Sequence, residues 1–442
     1  MSSTPRPATR TDTARVLGQV VLPTLAGGVL KRRPKVMALA GRLRLDRPAV
    51  RLLRRLRSRY GPDPVPLRIP RRSFALVLDA GDVERVLDRT PAPFAPATRE
   101  KSAALSHFQP HAVLTTRGSE RRPRRRFNED ALEWNHPLHA VAGAADTAVR
   151  EETARLLAET GDRLDWPAFN RAWWRIVRRI VLGDGARDDD EVTDALATLR
   201  YHGNWAYLRP KDRGLRERFR RTLARHLDRA ERGSLAGAVA DTPAEPGVDP
   251  YGQVPHWLFA FDAVGMVTLR TLALLATHPV QAASARAEAG DAMGPSQLPY
   301  LRACVLESVR LWPTTPIVLR ESTETTEWRT GNLPPETTFV VFSPFFHRDR
   351  ERLPFADRFD PDVWLDGRAQ QDPALVPFSE GPGECPGQNL ALFTASTMLA
   401  ALLADRDYRL LAPRTTARRL GSGRRLPATL DNFGLRFAVT KP

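Results

Sequence analysis

The chain of 442 residues is poor in cysteine, methionine and tyrosine, of which it has two, five and six. Its cysteines, Cys304 and Cys385, form no repeated Cys-x-x-Cys pattern and are too few for a disulfide framework. The sequence therefore predicts neither a disulfide-stabilised scaffold nor a structural zinc site, and it favours a reducing, cytoplasmic compartment. A single cysteine remains available for catalysis or for binding a metal.

Long apolar runs are also scarce. The run from Val16 to Leu30 follows arginines, as the core of a signal peptide would, but it contains Pro23 and leads directly into the basic segment KRRPK. It is too short to span a bilayer, and no cleavage site follows it. We therefore expect a soluble protein that does not associate with a membrane.

The formal net charge of +16 comes mostly from arginine runs at 31–35, 51–59 and 121–126. Such runs suit solvated helix faces, phosphates, anionic lipid or an acidic protein partner. They lack interleaved aromatic residues, and no zinc-finger or other nucleic-acid-binding motif accompanies them, so nucleic acid is not expected as a partner.

The hydrophobic pattern indicates a mainly α protein with a minor β region. Residues 60–87 combine a proline-rich turn, two short alternating runs and a helix opened by Asp79 to Asp82, which predicts a small sheet. Residues 121–278 have helical periodicity, and a final helix is expected from about Gln388 to Leu403. We predict a flexible N-terminus at 1–15 and one large helix-rich domain at 16–442.

The segment PFSEGPGECPGQNLALF places Cys385 just before this final helix. The free N–H groups and the dipole of a helix start favour a thiolate there. Gly383 and Gly387 remove side chains on either side, so backbone amides can approach the sulfur and a flat group can approach the loop. Phe378 supplies an aromatic wall. Taken alone, a glycine-rich loop with one cysteine is more often a turn that holds a small hydrophobic residue than a functional site.

The pattern Phe-x-x-Gly-x-x-x-Cys-x-Gly, continued by x-x-Leu-Ala, consists here of Phe378, Gly381, Cys385, Gly387, Leu390 and Ala391. This pattern resembles the haem-binding loop of the cytochrome P-450 family. The resemblance implies the P-450 fold, haem b as cofactor and Cys385 as the axial iron ligand, whose electron donation favours O–O cleavage. Phe378, Gly381, Gly383 and Gly387 are then expected around the haem.

A second motif lies in the helix LRACVLESVRLWP, where Glu307 and Arg310 share one face. The pair is an ordinary salt bridge by itself, but it also matches the family's Glu-x-x-Arg. The family resemblance implies a third partner, Arg358 in RFDPDVW. We expect these three residues to form a structural network on the haem side of the core.

Three arginines are implied as partners of the haem propionates. Arg121 and Arg125 lie in a segment that resembles the start of the family's helix that reaches the propionates. Arg320 interrupts an apolar strand, so its charge needs a compensating partner. The family usually has Arg or His two residues before the cysteine, where this chain has Gly383. We therefore expect the three arginines to do more of the propionate binding.

The apolar run from His256 to Pro279 predicts a buried central helix. Counting back from its terminal His-Pro, the family's acid–alcohol pair falls on Asp262 and Ala263. The acid is retained and the usual threonine is absent. A satisfied core aspartate is the alternative interpretation of Asp262. The resemblance thus implies a catalytic position with atypical proton delivery, through water or a substrate hydroxyl.

The family resemblance implies a monooxygenase that uses O2 and electrons from an acidic ferredoxin and its reductase as separate proteins. Two alternatives stay open: a haem-thiolate enzyme acting by peroxide use, oxidative coupling, dehydration or rearrangement, and a non-catalytic haem sensor. The expected substrate is a lipophilic natural-product intermediate, such as a terpenoid or polyketide, or else an aromatic or peptide scaffold. The residues expected to line its pocket are His107, Phe108, Phe259, Thr315, Ile317, Val318 and Phe433.

Overall fold

The computed structural model describes residues 4–421, 423 and 425–441. Helices dominate them. The α-helices are Arg10–Val16 (α1), Leu22–Gly27 (α2), Pro34–Leu43 (α3), Asp46–Tyr60 (α4), Ala80–Asp88 (α5), Arg99–Leu105 (α6), Arg121–Ala131 (α7), Ala142–Thr160 (α8), Trp166–Leu182 (α9), Asp190–Gly203 (α10), Arg213–Asp228 (α11), Leu235–Asp241 (α12), Val254–Leu275 (α13), Pro279–Asp291 (α14), Pro299–Leu311 (α15), Ser343–His347 (α16), Gln388–Leu403 (α17) and Arg414–Leu420 (α18).

The strands are short and form three small sheets. They are Val65–Leu67 (β1), Phe74–Leu76 (β2), Phe94–Ala95 (β3), Arg163–Asp165 (β4), Ile317–Ser322 (β5), Thr326–Trp328 (β6), Gly331–Leu333 (β7), Thr338–Phe342 (β8), Asp407–Ala412 (β9) and Arg436–Thr440 (β10). The largest sheet has the order β1-β2-β8-β5-β3, with β2 and β8 parallel and the other neighbours antiparallel. The order β4-β10-β9 forms a second sheet, and β6 pairs with β7.

The helical core is built around α13 and α17. Helix α13 packs against α17, α15, α9 and α14, and most of its side chains are buried. It is the one helix among the described residues that is long and apolar enough to cross a bilayer, yet 78% of its apolar window is buried inside the protein. Helix α17 is buried along almost its whole length, and its hydroxyls at Thr394 and Ser396 are satisfied by the helix's own carbonyls.

A second apolar cluster fills the space between the five-stranded sheet and helices α4, α5 and α16. Strand β8 is buried at every position and lies between β2 and β5, which explains its continuous apolar sequence TFVVF. The strand pair β5·β8 aligns Ile317 with Phe342 and Arg320 with Phe339. The pairing of β5 with β8 therefore fixes the position of Arg320 within the sheet.

The predicted fold class, mainly α with small sheets, is confirmed. Strands β1 and β2 and helix α5 occupy the predicted 60–87 region, with Asp79 capping α5 through a bond from the Gly81 amide. The prediction of a flexible terminus at 1–15 is wrong for the described part of that range. Thr9 caps α1, and the buried Asp12 accepts a hydrogen bond from the Tyr60 hydroxyl, so tertiary contacts order the segment. Residues 1–3 lie outside the described residues, and the single domain at 16–442 stays a prediction.

Candidate haem-thiolate site

The cysteine loop is closed by one backbone hydrogen bond. The amide of Cys385 donates to the carbonyl of Phe378 at 3.0 Å, and the carbonyl of Cys385 accepts from the amide of Gln388, the first residue of α17. The thiol thus lies at the mouth of the helix, as the sequence predicts. Phe378 is half-buried and packs against the helical core.

Two glycines let this loop approach its neighbours closely. Gly381 has φ of +63°, and a Cβ there would lie 2.9 Å from the Cα of Asp88 at the end of α5. At Gly383, a Cβ would lie 2.6 Å from Nη2 of Arg320. The residue that departs from the family pattern therefore leaves the space that the Arg320 guanidinium occupies.

The protonation of Cys385 differs from the sequence-based expectation. Burial raises the pKa of the thiol, and this effect outweighs the lowering by the Gly387 amide and by Arg125. The helix-start amide does act in the expected direction, but desolvation of the thiolate dominates. The free thiol is thus predominantly protonated, and a bound cation such as iron would be required to hold it as the thiolate.

Three neighbouring cations, of which Arg320 contacts this loop, have no acidic partner among the described residues; Arg320 and Arg121 are buried, and Lys101 is half-buried. Arg320 is 3% exposed, and it donates to Thr90 Oγ1, to the Leu319 carbonyl and to Ser379 Oγ, all of them neutral. Arg121 donates to the Val113 carbonyl, and Lys101 donates to the carbonyls of Pro96 and Leu319.

Burial, and then mutual repulsion, lowers the pKa of each cation. The pKa of Arg121 falls to about 10 through burial and then Arg125, and that of Arg320 falls to about 10 through burial and then Arg121. The pKa of Lys101 falls well below its usual range because of burial, then Arg320 and Arg121. Within the described ranges, none of these three forms an ion pair with a carboxylate. A bound dianion would relieve this excess of positive charge.

Arg125 has a different environment from the other two predicted arginines. It forms an ion pair with Glu129 at 2.5 Å and donates to the carbonyl of Glu384 at 2.6 Å. It therefore braces the backbone next to Cys385 with its charge already compensated. Its predicted contact with a propionate stays a prediction.

The pair Glu307 and Arg310 forms a buried network in α15. Both side chains are 0% exposed, and two bonds of 2.6 Å join the carboxylate to the guanidinium. Glu307 also accepts from the amide of Asp360 and from Nε1 of Trp364, both at 3.0 Å. The pair therefore anchors the meander before the cysteine loop, as the sequence predicts for a structural network.

The prediction that the Arg358 side chain completes this network is wrong. Arg358 is exposed, and it contributes its backbone carbonyl, which accepts from Nη2 of Arg310 at 3.0 Å. The carbonyls of Phe355 and Ala356 act in the same way. Backbone carbonyls complete the donors of Arg310, so no third side chain of that kind is required.

Helix α13 presents a half-exposed stripe within an otherwise buried surface. The stripe consists of His256, Phe259, Ala260, Ala263 and Val264, which are spaced at helical periodicity. Ala263 therefore lies on the partly exposed side of the helix, at the position where the sequence indicates loss of an alcohol. Asp262 points elsewhere and is 6% exposed.

Asp262 forms a buried ion pair with Arg200 on α10. Its carboxylate accepts from Nη2 of Arg200 at 2.5 Å, and Nζ of Lys31 lies 3.9 Å away. Although burial acts to raise the pKa of Asp262, Arg200 and Lys31 act in the opposite direction and hold the pKa below its usual value. The arrangement matches the alternative of a satisfied core aspartate, and a catalytic role stays a prediction.

The predicted pocket residues fall into separate groups. Phe108 packs edge-on against Phe259 with 5.8 Å between ring centroids, while Nε2 of His107 lies 3.2 Å from the Ala206 carbonyl. Ile317 and Val318 are half-buried and pack against the sheet cluster, whereas Thr315 is exposed. Phe433 packs against Trp166. Contacts thus unite Phe108 with Phe259, and the remaining pocket assignments stay predictions.

Sequence reasoning missed Lys101, Arg200 and Lys31. Lys101 lies in a polar run, TREKSAAL, that gives no sign of burial. Arg200 lies in an amphipathic helix, where arginine is normally solvent-facing. The buried positions of Val192, Leu196 and Leu199 on that helix are the one signal that Arg200 shares the inward face.

The residues at this loop fit a haem group. Haem is flat, carries two carboxylates and takes a thiolate at its iron. The glycine-lined loop, the half-buried thiol of Cys385 and the uncompensated Arg121, Arg320 and Lys101 correspond to these three properties. Arg320, with Arg121 and Lys101, would hold the carboxylates, and Cys385 the iron.

Comparisons with known proteins agree with this site. The family model described as "Cytochrome P450" matches residues 260–418. Probable cytochrome P450 4s3 of Drosophila melanogaster is 32% identical over 176 residues, which are 39% of this chain and 34% of that protein. The chain thus spans about a third of the length of that relative. Cyclooctat-9-en-7-ol 5-monooxygenase of Streptomyces melanosporofaciens is 27% identical over 349 residues, covering 69% of this chain and 74% of that protein.

Among solved structures, retinoic acid-bound cyanobacterial CYP120A1 superposes with a TM-score of 0.72, covering 88% of this chain and 94% of that chain at 18% sequence identity. This likeness extends the shared fold well beyond the part matched by the family model. It shows that the chain has the cytochrome P450 fold, and the family model, together with the cysteine loop and the Glu307–Arg310 pair, shows that residues 260–418 are similar to the cytochrome P450 family.

Proposed function

We propose that the protein is a haem-thiolate monooxygenase that inserts one oxygen atom of O2 into a lipophilic intermediate of secondary metabolism. The observation that carries the proposal is the Cys385 loop at the start of α17 together with the uncompensated cation cluster of Arg320, Arg121 and Lys101, which reaches this loop through the bond from Arg320 to Ser379. The Streptomyces relative, named as a monooxygenase of an alcohol, supports this class of reaction. We further propose haem b as the cofactor and the cytoplasm as the location.

Haem bound through Cys385 would supply the oxygen-activating chemistry. The chain's own residues hold and shield the site. Glu307 and Arg310 fix the meander that leads to the loop, and Arg125 braces the carbonyl of Glu384. The small side chain of Ala263 on the half-exposed stripe of α13 would leave room beside the helix for a substrate or a water.

Proton delivery is the step at which we expect this chain to depart from the family pattern. Ala263 carries no hydroxyl, and the ion pair with Arg200 holds Asp262 in its charged form. A carboxylate so held is a weak proton donor. We infer that an ordered water or a hydroxyl of the substrate carries protons past Ala263.

The same ion pair favours a second candidate function, a haem-thiolate enzyme driven by peroxide. Peroxide brings its own protons, so the missing alcohol and the restrained Asp262 would matter less. Product formation with hydrogen peroxide that equals or exceeds the rate with O2 and an electron donor would select this candidate. A rate that depends on the electron donor would select the monooxygenase.

An acidic ferredoxin with its own reductase is the proposed electron source. Helix α7 is tied to the cysteine loop through Arg125, and its neighbours Arg122 and Arg126 are exposed on the same helix. Cationic residues beside the loop would steer an acidic protein towards it. We expect Arg122→Glu with Arg126→Glu to slow reduction by ferredoxin at low salt, with no change under reduction by dithionite. Exposed Arg220→Glu on α11 is the matched control.

The absorption spectrum of the reduced, carbon-monoxide-bound protein tests the central proposal. Wild-type protein is expected to show the thiolate signature, and Cys385→Ser to lose it. Cys304→Ser is the control, because that thiol is buried in the helical core. A wild-type spectrum without the thiolate signature would refute the proposal. Restoration of the alcohol by Ala263→Thr is expected to change the product formed per electron consumed.

A further inference from the structure

The ring of Phe259 is surrounded by polar side chains as well as aromatic ones. It lies on the half-exposed stripe of α13, and its neighbours are Phe108 at 5.8 Å and His256 at 5.5 Å between ring centroids. The guanidinium carbon of Arg200 lies 4.7 Å above the same ring. A basic group from α10 therefore lies directly against this aromatic surface.

Arg200 has one donor group that its surroundings leave unused. Its side chain is 2% exposed, Nε and Nη2 donate to the Leu30 carbonyl, and Nη2 also donates to Asp262. Nη1 is buried and has no acceptor among the described residues. An arginine does not lose its proton in a protein, so this donor stays available for a partner.

Gln109 presents a second unused polar atom beside His256, which is itself a neighbour of that ring. It is 0% exposed, and its Nε2 lies 3.0 Å from Nδ1 of His256, while Oε1 has no donor in the described part of the chain. Exchange of the amide nitrogen and oxygen would leave the other atom unused, so either orientation has one free polar atom. Burial, followed by the charge of Lys101, lowers the pKa of His256 to about 4, so its ring is neutral.

Native proteins rarely leave buried polar atoms unpaired, and an unpaired set around an aromatic ring suits a ligand that supplies the missing partner. The charge of Arg200 is already compensated by Asp262, and Gln109 and His256 are uncharged. The missing partner is therefore better met by a neutral oxygen than by a carboxylate.

We propose that Arg200 and Gln109 form an anchoring subsite for a hydroxyl or carbonyl oxygen on an otherwise lipophilic substrate. Nη1 of Arg200 donates to that oxygen, and the amide of Gln109 accepts the proton of a hydroxyl or donates to a carbonyl. The inference rests on the proposed monooxygenase function and narrows its substrate to a molecule that already carries oxygen. An earlier oxygenation or hydration must then supply this substrate.

Calorimetric binding to the purified holoprotein tests the subsite with matched probes. The probes are adamantane with adamantanol, cyclododecane with cyclododecanol, and adamantane carboxylate as the charged comparison. Wild-type protein is expected to bind at least one alcohol roughly tenfold more tightly than its parent hydrocarbon, the ratio expected for a hydrogen bond to a charged donor. Gln109→Leu and Arg200→Met are expected to reduce this ratio towards one while affinity for the hydrocarbons is retained.

The two variants separate anchoring from stability. Arg200→Met also leaves Asp262 without its main partner, so a folding defect is expected for it, whereas Gln109→Leu removes an unpaired atom and one neutral hydrogen bond to His256 without breaking an ion pair. Gln109→Leu should therefore lower the denaturant midpoint less than Arg200→Met does, and an equal or larger loss of stability would instead indicate a structural role. Thr271→Val, elsewhere on α13, is the control, since its hydroxyl bonds the helix's own Val267 carbonyl.

Absence of any preference for an alcohol, or tighter binding of the carboxylate than of adamantanol, would overturn the proposal. The first result would mean that buried water satisfies these atoms. A carbon-monoxide spectrum on the same samples keeps the two proposals apart. Loss of the thiolate signature would count against the haem-thiolate function, whereas an intact signature without alcohol preference would count against the anchoring subsite alone.

Discussion

Replacement of Gly383 by alanine tests the close approach of Arg320 to the cysteine loop. The new Cβ would lie 2.6 Å from Nη2 of Arg320 and 3.4 Å from Cγ2 of Thr90, so the guanidinium has to move. Movement of Nη2 breaks its bond to Ser379 Oγ, which is 3.0 Å long and lies in a buried site. A hydrogen bond to a charged group contributes about 1.5–3 kcal/mol, so we expect Gly383→Ala to lower the free energy of unfolding by about 2 kcal/mol.

A double-mutant cycle identifies Arg320 as the cause. In an Arg320→Met background the crowded nitrogen is absent, so Gly383→Ala should change the free energy of unfolding by less than about 0.5 kcal/mol. The coupling energy between the two positions is then about 2 kcal/mol. Urea unfolding followed by circular dichroism gives all four values. Gly143→Ala is the control, because no atom lies within 4 Å of its Cβ, and it is expected to be neutral or slightly stabilising. Additive effects of the two changes would refute the reasoning.

Three further predictions concern the core. Each carboxylate oxygen of Glu307 accepts from two donors, so Glu307→Gln places an amide NH2 against two donors in either orientation. We expect the free energy of unfolding to fall by about 3–5 kcal/mol. A loss below about 1 kcal/mol in urea titrations would contradict the structural role of the pair. Burial lowers the pKa of His256 from 6.5 to about 4, so the unfolded chain binds a proton that the folded chain does not between these values. The free energy of unfolding should therefore fall by about 1.4 kcal/mol per pH unit from this group as the pH is lowered through that window. In His256→Leu the free energy of unfolding should depend less steeply on pH. An unchanged pH dependence would argue against a neutral ring in the folded protein. Gly265→Ala would bring a Cβ within 2.7 Å of the ring of Trp173, which is fixed by a bond from Nε1 to the Phe261 carbonyl. We expect Gly265→Ala to lower the free energy of unfolding by about 1–3 kcal/mol, measured by thermal unfolding. The loss should be smaller in a Trp173→Phe background.

Local sequence patterns predicted the parts of the site whose partners are near in the chain. Glu307 and Arg310 are three residues apart on one helix, and the cysteine loop and the start of α17 form one continuous segment. Such features follow from helical periodicity and turn chemistry alone. For that reason the helix Gln388–Leu403 appears with the bounds that its sequence indicates.

The unpredicted parts depend on residues that only tertiary packing brings together. Arg200 meets Asp262 across 62 positions, and Arg320 meets Thr90 across 230. Neither separation leaves a periodic signal, and the amphipathic helix around Arg200 suits a solvent-facing arginine as well. The error at Arg358 has a related cause, because a motif identifies a residue but does not state whether its side chain or its carbonyl makes the contact.

The bonds from Arg200 to the Leu30 carbonyl tie the beginning of the chain to its centre. Asn204 adds to this tie, because its Oδ1 accepts from the amides of Leu30 and Lys31, and its Nδ2 donates to the Lys31 carbonyl. Removal of residues up to 31 would take away the Leu30 acceptor and the Lys31 cation together, and a core ion pair would have to reorganise around what is left. For expression work, removal of N-terminal residues therefore alters the buried core. A tag should be attached ahead of Thr9 or at the other end of the chain.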